Sequence, residues 1–152
     1  MVDYNVNNSI LADGFRGKSS SSIMDILHLD HWVLTVSDVT PTIDFYTRYL
    51  GMKAITFGNN RKALQFGHQK INLHLQGSEI EPHAQYPKPG SADMCFIIEG
   101  PLEAAYQQLQ LQGVQLESGL VERTGALGPI RSFYLRDPDG NLIEMSCYDA
   151  TS

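Results

Sequence analysis

Residues 133–148 read FYLRDPDGNLIEMSCY, and this stretch decides the fold. Two runs rich in aromatic and aliphatic residues flank RDPDGN, whose Asp, Pro, Gly and Asn are the residues that close tight turns, so the segment predicts a β-hairpin. Side chains alternate faces along a strand. Ile143, Met145 and Cys147 therefore share one side of the second run, and Leu142, Glu144 and Ser146 share the other. A carboxylate in the middle of an otherwise apolar strand asks for a chemical reason, because burying an unpaired charge is costly.

The stretch ALQFGHQKINLHLQG, residues 63–77, has the same design, with GHQK joining two strand-like runs as a tight hairpin. Ile71, Leu73 and Leu75 face one way, and Asn72, His74 and Gln76 the other. Here the ionisable residue is His74. Laying the second half of the chain over the first puts His74 on the position of Glu144.

Outward from these hairpins the chain repeats one order of elements. LDHWVLTV is β-rich, Thr40 and Pro41 open a helix through TIDFYTRYLG with Ile43, Tyr46 and Leu50 at helical spacing, and Gly51 stops it. Strand-like KAITF, KALQF and KINLHLQ follow. In the second half ADMCFII precedes a helix opened by Pro101, with Leu102, Ala105, Tyr106 and Leu109 as its stripe and Gly113 as its stop. Strands are then expected near VQLESGL, IRSFYL and NLIEMSCY. The pattern β-α-β-β-β occurs twice and predicts an α+β fold.

Residues 1–26, rich in Asn, Ser and Gly, are expected to form a mobile tail, and 150–152 a short one. Between them lies one domain, 27–149, with module one at 27–77, a proline-rich linker at 78–90 and module two at 91–149. Neither module is large enough to bury much alone, so the two are expected to share a core.

The 42% hydrophobic and 18% charged composition is that of a globular protein, and the net charge of −6 leaves no broad basic surface for nucleic acid or an anionic membrane. Small molecules are the expected partners. No apolar run approaches the roughly 18 residues of a membrane span. Cys95 and Cys147 sit in apolar runs and read as small buried hydrophobes in a reducing compartment. A cytoplasmic location is expected, with a mitochondrial one as the alternative given Arg16, Lys18 and the serines.

Comparing the first strands of the two halves brings His31 onto Asp93. Four donor side chains, His31, His74, Asp93 and Glu144, thus occupy two repeat-related pairs of positions. Two imidazoles and two carboxylates suit a divalent ion such as zinc, nickel, cobalt, manganese or iron, without choosing among them. His28, His68 and His83 read as ordinary surface or hydrogen-bonded residues. Trp32 and Phe96 fall on the opposite face, in the core, and Tyr46 and Tyr106 on helix stripes.

Tandem β-α-β-β-β halves, the opening LDHWVLTVSDVTPTIDFYTRYLGM and the closing FYLRDPDGNLIEM resemble the vicinal oxygen chelate superfamily, which includes glyoxalase I, extradiol dioxygenases, fosfomycin-resistance transferases and bleomycin-binding proteins. RKALQFGHQKINLH and RTGALGPIRSFYLRDPDGNLIE look like the small glyoxalase domain-containing protein 5 type. The resemblance implies two modules in an incomplete barrel around a metal, with ligands on the first and last strands of each module, here His31, His74, Asp93 and Glu144. Glyoxalase I has a carboxylate where this chain has His74, and His where it has Asp93. Relatives often pair as dimers, so a homodimer is expected.

These features lead to the expectation of a metal-dependent lyase or isomerase of the glyoxalase type acting on a small oxygenated metabolite or thiol adduct, with Glu144 as general base. An extradiol-type dioxygenase and a non-catalytic drug- or metabolite-binding protein are the alternatives. The loop ERTGALGPIRS, with glycines at 125 and 128, is expected to form a mobile rim, with Arg123 or Arg131 meeting an anionic group.

Overall fold

The structure, a computed structural model, describes residues 23–148. The expected tails fall largely outside the described residues. The first module comprises β1 (His31–Val36), α1 (Val39–Arg48), β2 (Lys53–Phe57), β3 (Arg61–Phe66) and β4 (Gln69–Leu75). The second comprises β5 (Asp93–Ile97), α2 (Leu102–Leu111), β6 (Val121–Gly125), β7 (Gly128–Arg136) and β8 (Leu142–Tyr148). Each forms a four-stranded mixed sheet, in the orders β1-β4-β3-β2 and β5-β8-β7-β6. The duplication is therefore exact in topology, and no closed barrel forms.

Local chemistry sets most boundaries. α1 is capped two residues earlier than the sequence suggests: Asp38, in an extended conformation, accepts from the Thr40 amide at 3.2 Å, so Thr40 lies inside the first turn. The chain leaves this helix through Gly51 at φ +69°. VQLESGL is not a strand; only Leu116 pairs, as an isolated bridge to Leu135, and the Ser118 hydroxyl bonds the Gly119 carbonyl in a local turn. The edge strand is instead Val121–Gly125, so ERTGALGPIRS forms a hairpin with β7 rather than a loop.

One hydrophobic core runs through both modules. Leu34, Val36, Ile71 and Leu73 belong to the same cluster as Phe96, Phe133, Ile143 and Met145, as alternation requires. Trp32 stacks on Phe96 at 6.2 Å between centroids, and Phe66 meets Phe96 edge-on at 5.2 Å, so three rings bind the sheets together. Tyr46 is buried and Tyr106 packs edge-on against Phe133, both in their expected places.

The turn of the closing motif ties the modules with polar contacts. Asp137 Oδ1 accepts from the amides of Asp139 and Asn141, while Oδ2 accepts from the Tyr46 hydroxyl at 2.8 Å and from Asn141 Nδ2. Asp139 receives the Ser37 amide from the end of β1, and Asn141 receives the Ala92 amide ahead of β5. The buried acceptors among these, Asp137 and Asn141, are occupied, which is what makes a buried carboxylate tolerable.

Candidate metal and substrate site

The faces turned away from the core carry the candidate residues. In the first sheet, parallel pairing sets His31 level with Lys70, Val33 with Asn72 and Thr35 with His74. All six share one face. His74 is thus four residue steps beyond the level of His31, about 13 Å along the sheet at roughly 3.3 Å per residue. Metal donors must stand about 2.0–2.2 Å from a common ion, so these two imidazoles of one chain do not share one.

The second sheet gives the comparison that corrects the set. Asp93 is level with Leu142, Cys95 with Glu144 and Ile97 with Ser146. Glu144 therefore lies two residues beyond the level of its module's first residue. In the first module that position is Asn72, and His74 corresponds to Ser146. The expectation that His74 occupies the position of Glu144 fails by one step of two, a shift that keeps every side chain on its face and so leaves alternation unchanged. One signal could have found it: matching Asn72 with Glu144 also matches Leu75 with Cys147, whereas matching His74 with Glu144 sets Gly77 against Cys147.

The environments differ. His31 is exposed, and its Nδ1–H donates to Asp30 at 2.7 Å, leaving Nε2 as the nitrogen with a lone pair. A carboxylate that fixes the tautomer in this way is the usual support of a metal-binding imidazole. Asn72 is 5% exposed and its Oδ1 has no hydrogen-bond partner. Asp93 opens edge strand β5, exposed to solvent. Glu144 is half-buried, with Oε2 accepting from the Ser132 hydroxyl at 2.6 Å. Ser132 and Ser146 are fully buried, 2.6 Å apart, and Cys95 Sγ lies 3.3 Å from the Ser146 hydroxyl. Burial, then the Glu144 charge, raises the Cys95 thiol, while its bond to Ser146 pulls the other way. Cys95 is exposed on this face rather than buried as expected; Cys147 is buried.

His74 is 3% exposed, and neither ring nitrogen has a partner. Burial first, then the Arg61 and His83 charges, lowers its pKa, with Glu79 opposing. It lines a cavity of about 420 Å³ under the folded-back linker, where His83, Tyr86, Lys88 and Ser91 also stand. His83 is hydrogen-bonded, as expected: Nδ1 meets the Ala84 carbonyl at 2.8 Å and Nε2 stands 3.1 Å from the Glu81 carboxylate.

Arg123 lies on the face of Glu144 and donates to the Tyr134 hydroxyl at 3.0 Å. Arg131 is level with Cys147, on the opposite face, and pairs with Glu103 of α2. It does not face the candidate site, because the β7 register alternates it away.

Among the described residues, no three His, Cys, Asp or Glu side chains gather closely enough to hold an ion. One chain thus does not assemble the four expected ligands. The register-equivalent set His31, Asn72, Asp93 and Glu144 is chemically fit as donors: an imidazole with a fixed tautomer, an orphaned amide oxygen and two carboxylates. His74 stands apart from this set by register, not by chemistry, four residue steps beyond the level of His31.

The model of the glyoxalase/bleomycin resistance protein/dioxygenase superfamily matches residues 28–145. The chain belongs to this superfamily. It is 55% identical over 125 residues to glyoxalase domain-containing protein RDO1 of Mycosarcoma maydis, covering 82% of this chain and 70% of that protein. It is 54% identical over 132 residues to virulence protein STM3117 of Salmonella typhimurium, covering 86% and 92%. The crystal structure of STM3117 superimposes with a TM-score of 0.82, covering 83% of this chain and all of that one. A lactoylglutathione lyase of Agrobacterium tumefaciens, at 17% identity and TM-score 0.63 over 81% of this chain and 95% of its own, shares the fold. These relatives do not single out the glyoxalase domain-containing protein 5 type. No helix of the described residues is long and apolar enough to cross a membrane.

Proposed function

We propose that the protein is a metal-dependent lyase or isomerase of the glyoxalase type, acting on a small oxygenated metabolite at a site completed by two copies of the chain. The observation that carries this reading is the geometry of Glu144, whose Oε2 is fixed by buried Ser132 while the residue stays on the open face. His31 and Asp93 open β1 and β5, which are edge strands of their sheets. Unpaired edges favour association, and a two-fold pairing brings His31 and Asn72 of one copy to Asp93 and Glu144 of the other.

A divalent ion held by these four residues would supply Lewis acidity toward adjacent substrate oxygens. Glu144 is the general base: Ser132 holds one carboxylate oxygen so that the other faces the substrate C–H or hydroxyl and takes its proton. Ser146 donates to Ser132 and Cys95 to Ser146, an ordering that gives each hydroxyl hydrogen an acceptor and ends on Glu144. Arg123, held by Tyr134, is the substrate-facing arginine. The dioxygenase reading is less favoured, because the related enzymes use two histidines and the register-equivalent set contains one.

The test is elemental analysis and light scattering on protein purified without added metal, beside His31→Ala. The proposal expects a dimer carrying a stoichiometric divalent ion and loss of that ion in the variant. A metal-free monomer indifferent to chelators would sink it.

A further inference from the structure

We propose that the cavity under the linker binds an uncharged, hydroxyl-bearing end of the substrate, with His74 as its hydrogen-bond partner and residues 79–90 as the strap that admits it. The inference rests on reading the outer face of the first sheet as a substrate site, and it names the class of substrate taken there.

Unsatisfied polar groups collect in one place. Among the described residues, the buried side-chain atoms without a hydrogen-bond partner are Asn72 Oδ1 and both ring nitrogens of His74. These residues stand two apart on one face of β4, about 6.6 Å at roughly 3.3 Å per residue. A buried polar atom in that condition costs stability until something bonds it. Asn72 is answered by the proposed ion. His74, one step further along the face, is left for the molecule that the ion holds.

The chemistry of the ring selects the group. Burial first, then Arg61 and His83, lowers the His74 pKa against the pull of Glu79, so the ring is neutral at neutral pH. A neutral imidazole offers one N–H donor and one acceptor nitrogen in either tautomer. A hydroxyl answers as both, whereas an ether or carbonyl only accepts and an ammonium only donates. Thr35, level with His74 and 7% exposed, adds a hydroxyl to the cavity wall.

The cavity disfavours a charge. A carboxylate would have to shed its water among Val33, Leu34, Pro82, Ala84, Pro87 and Ala92, while Lys88, which also lines the cavity, is exposed and keeps its own water. The volume of about 420 Å³ falls within the roughly 300–1,000 Å³ of small-molecule sites.

Entry falls to the linker, because both His74 nitrogens are closed off from solvent beneath it. Among the described residues, the hydrogen bonds of residues 79–90 all close within 77–91. The Gly77 amide donates to Glu79, His83 meets Ala84 and Glu81, Gln85 donates to Tyr86, and Ser91 to the Lys88 carbonyl. None reaches β1 or β4, whose residues share the cavity with it. Lifting this segment breaks no hydrogen bond to the sheet, which is the condition for local opening at low cost.

The experiment uses backbone and histidine-ring NMR of the full chain in the presence of a chelator. The probe is 1-butanol; its isomer diethyl ether accepts but cannot donate, and butyrate is the charged match. 1-Butanol is expected to shift the His74 ring nitrogens and the amides of residues 79–90 saturably. It should bind about fivefold more tightly than the ether, the ratio set by one net hydrogen bond. His74→Leu should erase that preference while the apolar walls still take both isomers, and His74→Gln, whose amide donates and accepts, should restore it.

Equal binding of the two isomers, absence of a saturable shift with 1-butanol, or a preference that survives in His74→Leu would each overturn the proposal. Tighter binding of butyrate than of 1-butanol would overturn it as well. Should His74→Leu fail to fold, the ratio in the unsubstituted chain and in His74→Gln decides. Because the chelator removes any ion and no turnover is read, failure here leaves the lyase reading standing. Conversely, a metal-free monomer that still prefers 1-butanol sinks the lyase reading and keeps this site.

Discussion

The Tyr46 hydroxyl donates to Asp137 Oδ2 at 2.8 Å, joining the helix of the first module to the turn of the second. Burial first, then the Asp137 charge, drives the tyrosine pKa far above its ordinary range, so the proton stays on the phenol and the bond keeps its direction. Tyr46→Phe leaves Asp137 with its amide donors and removes only this link. It should cost about 1–2 kcal/mol, lowering the melting temperature by roughly 3–8 °C. Thermal denaturation checks it; an unchanged midpoint would mean that the ring packing, not the hydrogen bond, joins the modules.

Asn72 offers a direct handle on metal affinity. Asn72→Asp puts a charged donor at the register-equivalent of Glu144 without changing side-chain size, and should tighten divalent-ion binding by roughly tenfold or more. Competition with a colorimetric chelator reads the change. If affinity stays constant while His31→Ala abolishes binding, Asn72 is not among the donors.

For the proton transfer, Glu144→Gln is expected to cut kcat by roughly 10²–10⁴ on any substrate of the enzyme. Ser132→Ala should act more mildly, lowering kcat with little change in KM. A merely structural serine would lower thermal stability and leave kcat in place.

His74 gives a pH dependence of known sign. Burial, then Arg61 and His83, lowers its pKa in the folded chain below the ordinary 6.5 that it regains on unfolding. Only the unfolded chain binds this proton just below 6.5, so the contribution is complete above that value and is lost as pH falls toward the folded pKa. Urea titrations between about pH 7.5 and 5 should show declining stability, and His74→Gln should flatten the decline. A slope unaffected by the substitution would assign the loss to other groups.

Much of the architecture was legible from particular residues. Alternation in INLHL and NLIEMSC assigned Ile71 and Ile143 to the core and His74 and Glu144 to the other face, and both assignments hold. The turn residues of RDPDGN forecast the hairpin, though not its second task of receiving Tyr46, Ser37 and Ala92, which come from distant parts of the chain.

The amino-acid order alone determined the duplicated modules and the side of the sheet on which each donor stands, because both follow from short-range periodicity. Tertiary structure decided which donors correspond, the apolar match of Leu75 with Cys147 being the one hint of it in the sequence. β1 and β4 pair in parallel across an intervening helix and hairpin, and a slide of two residues between them preserves every face while moving an imidazole about 6.6 Å. Packing of Trp32 and Phe66 on Phe96 fixes how the modules meet, and the level of β4 against β1 then makes Asn72, rather than His74, the counterpart of Glu144.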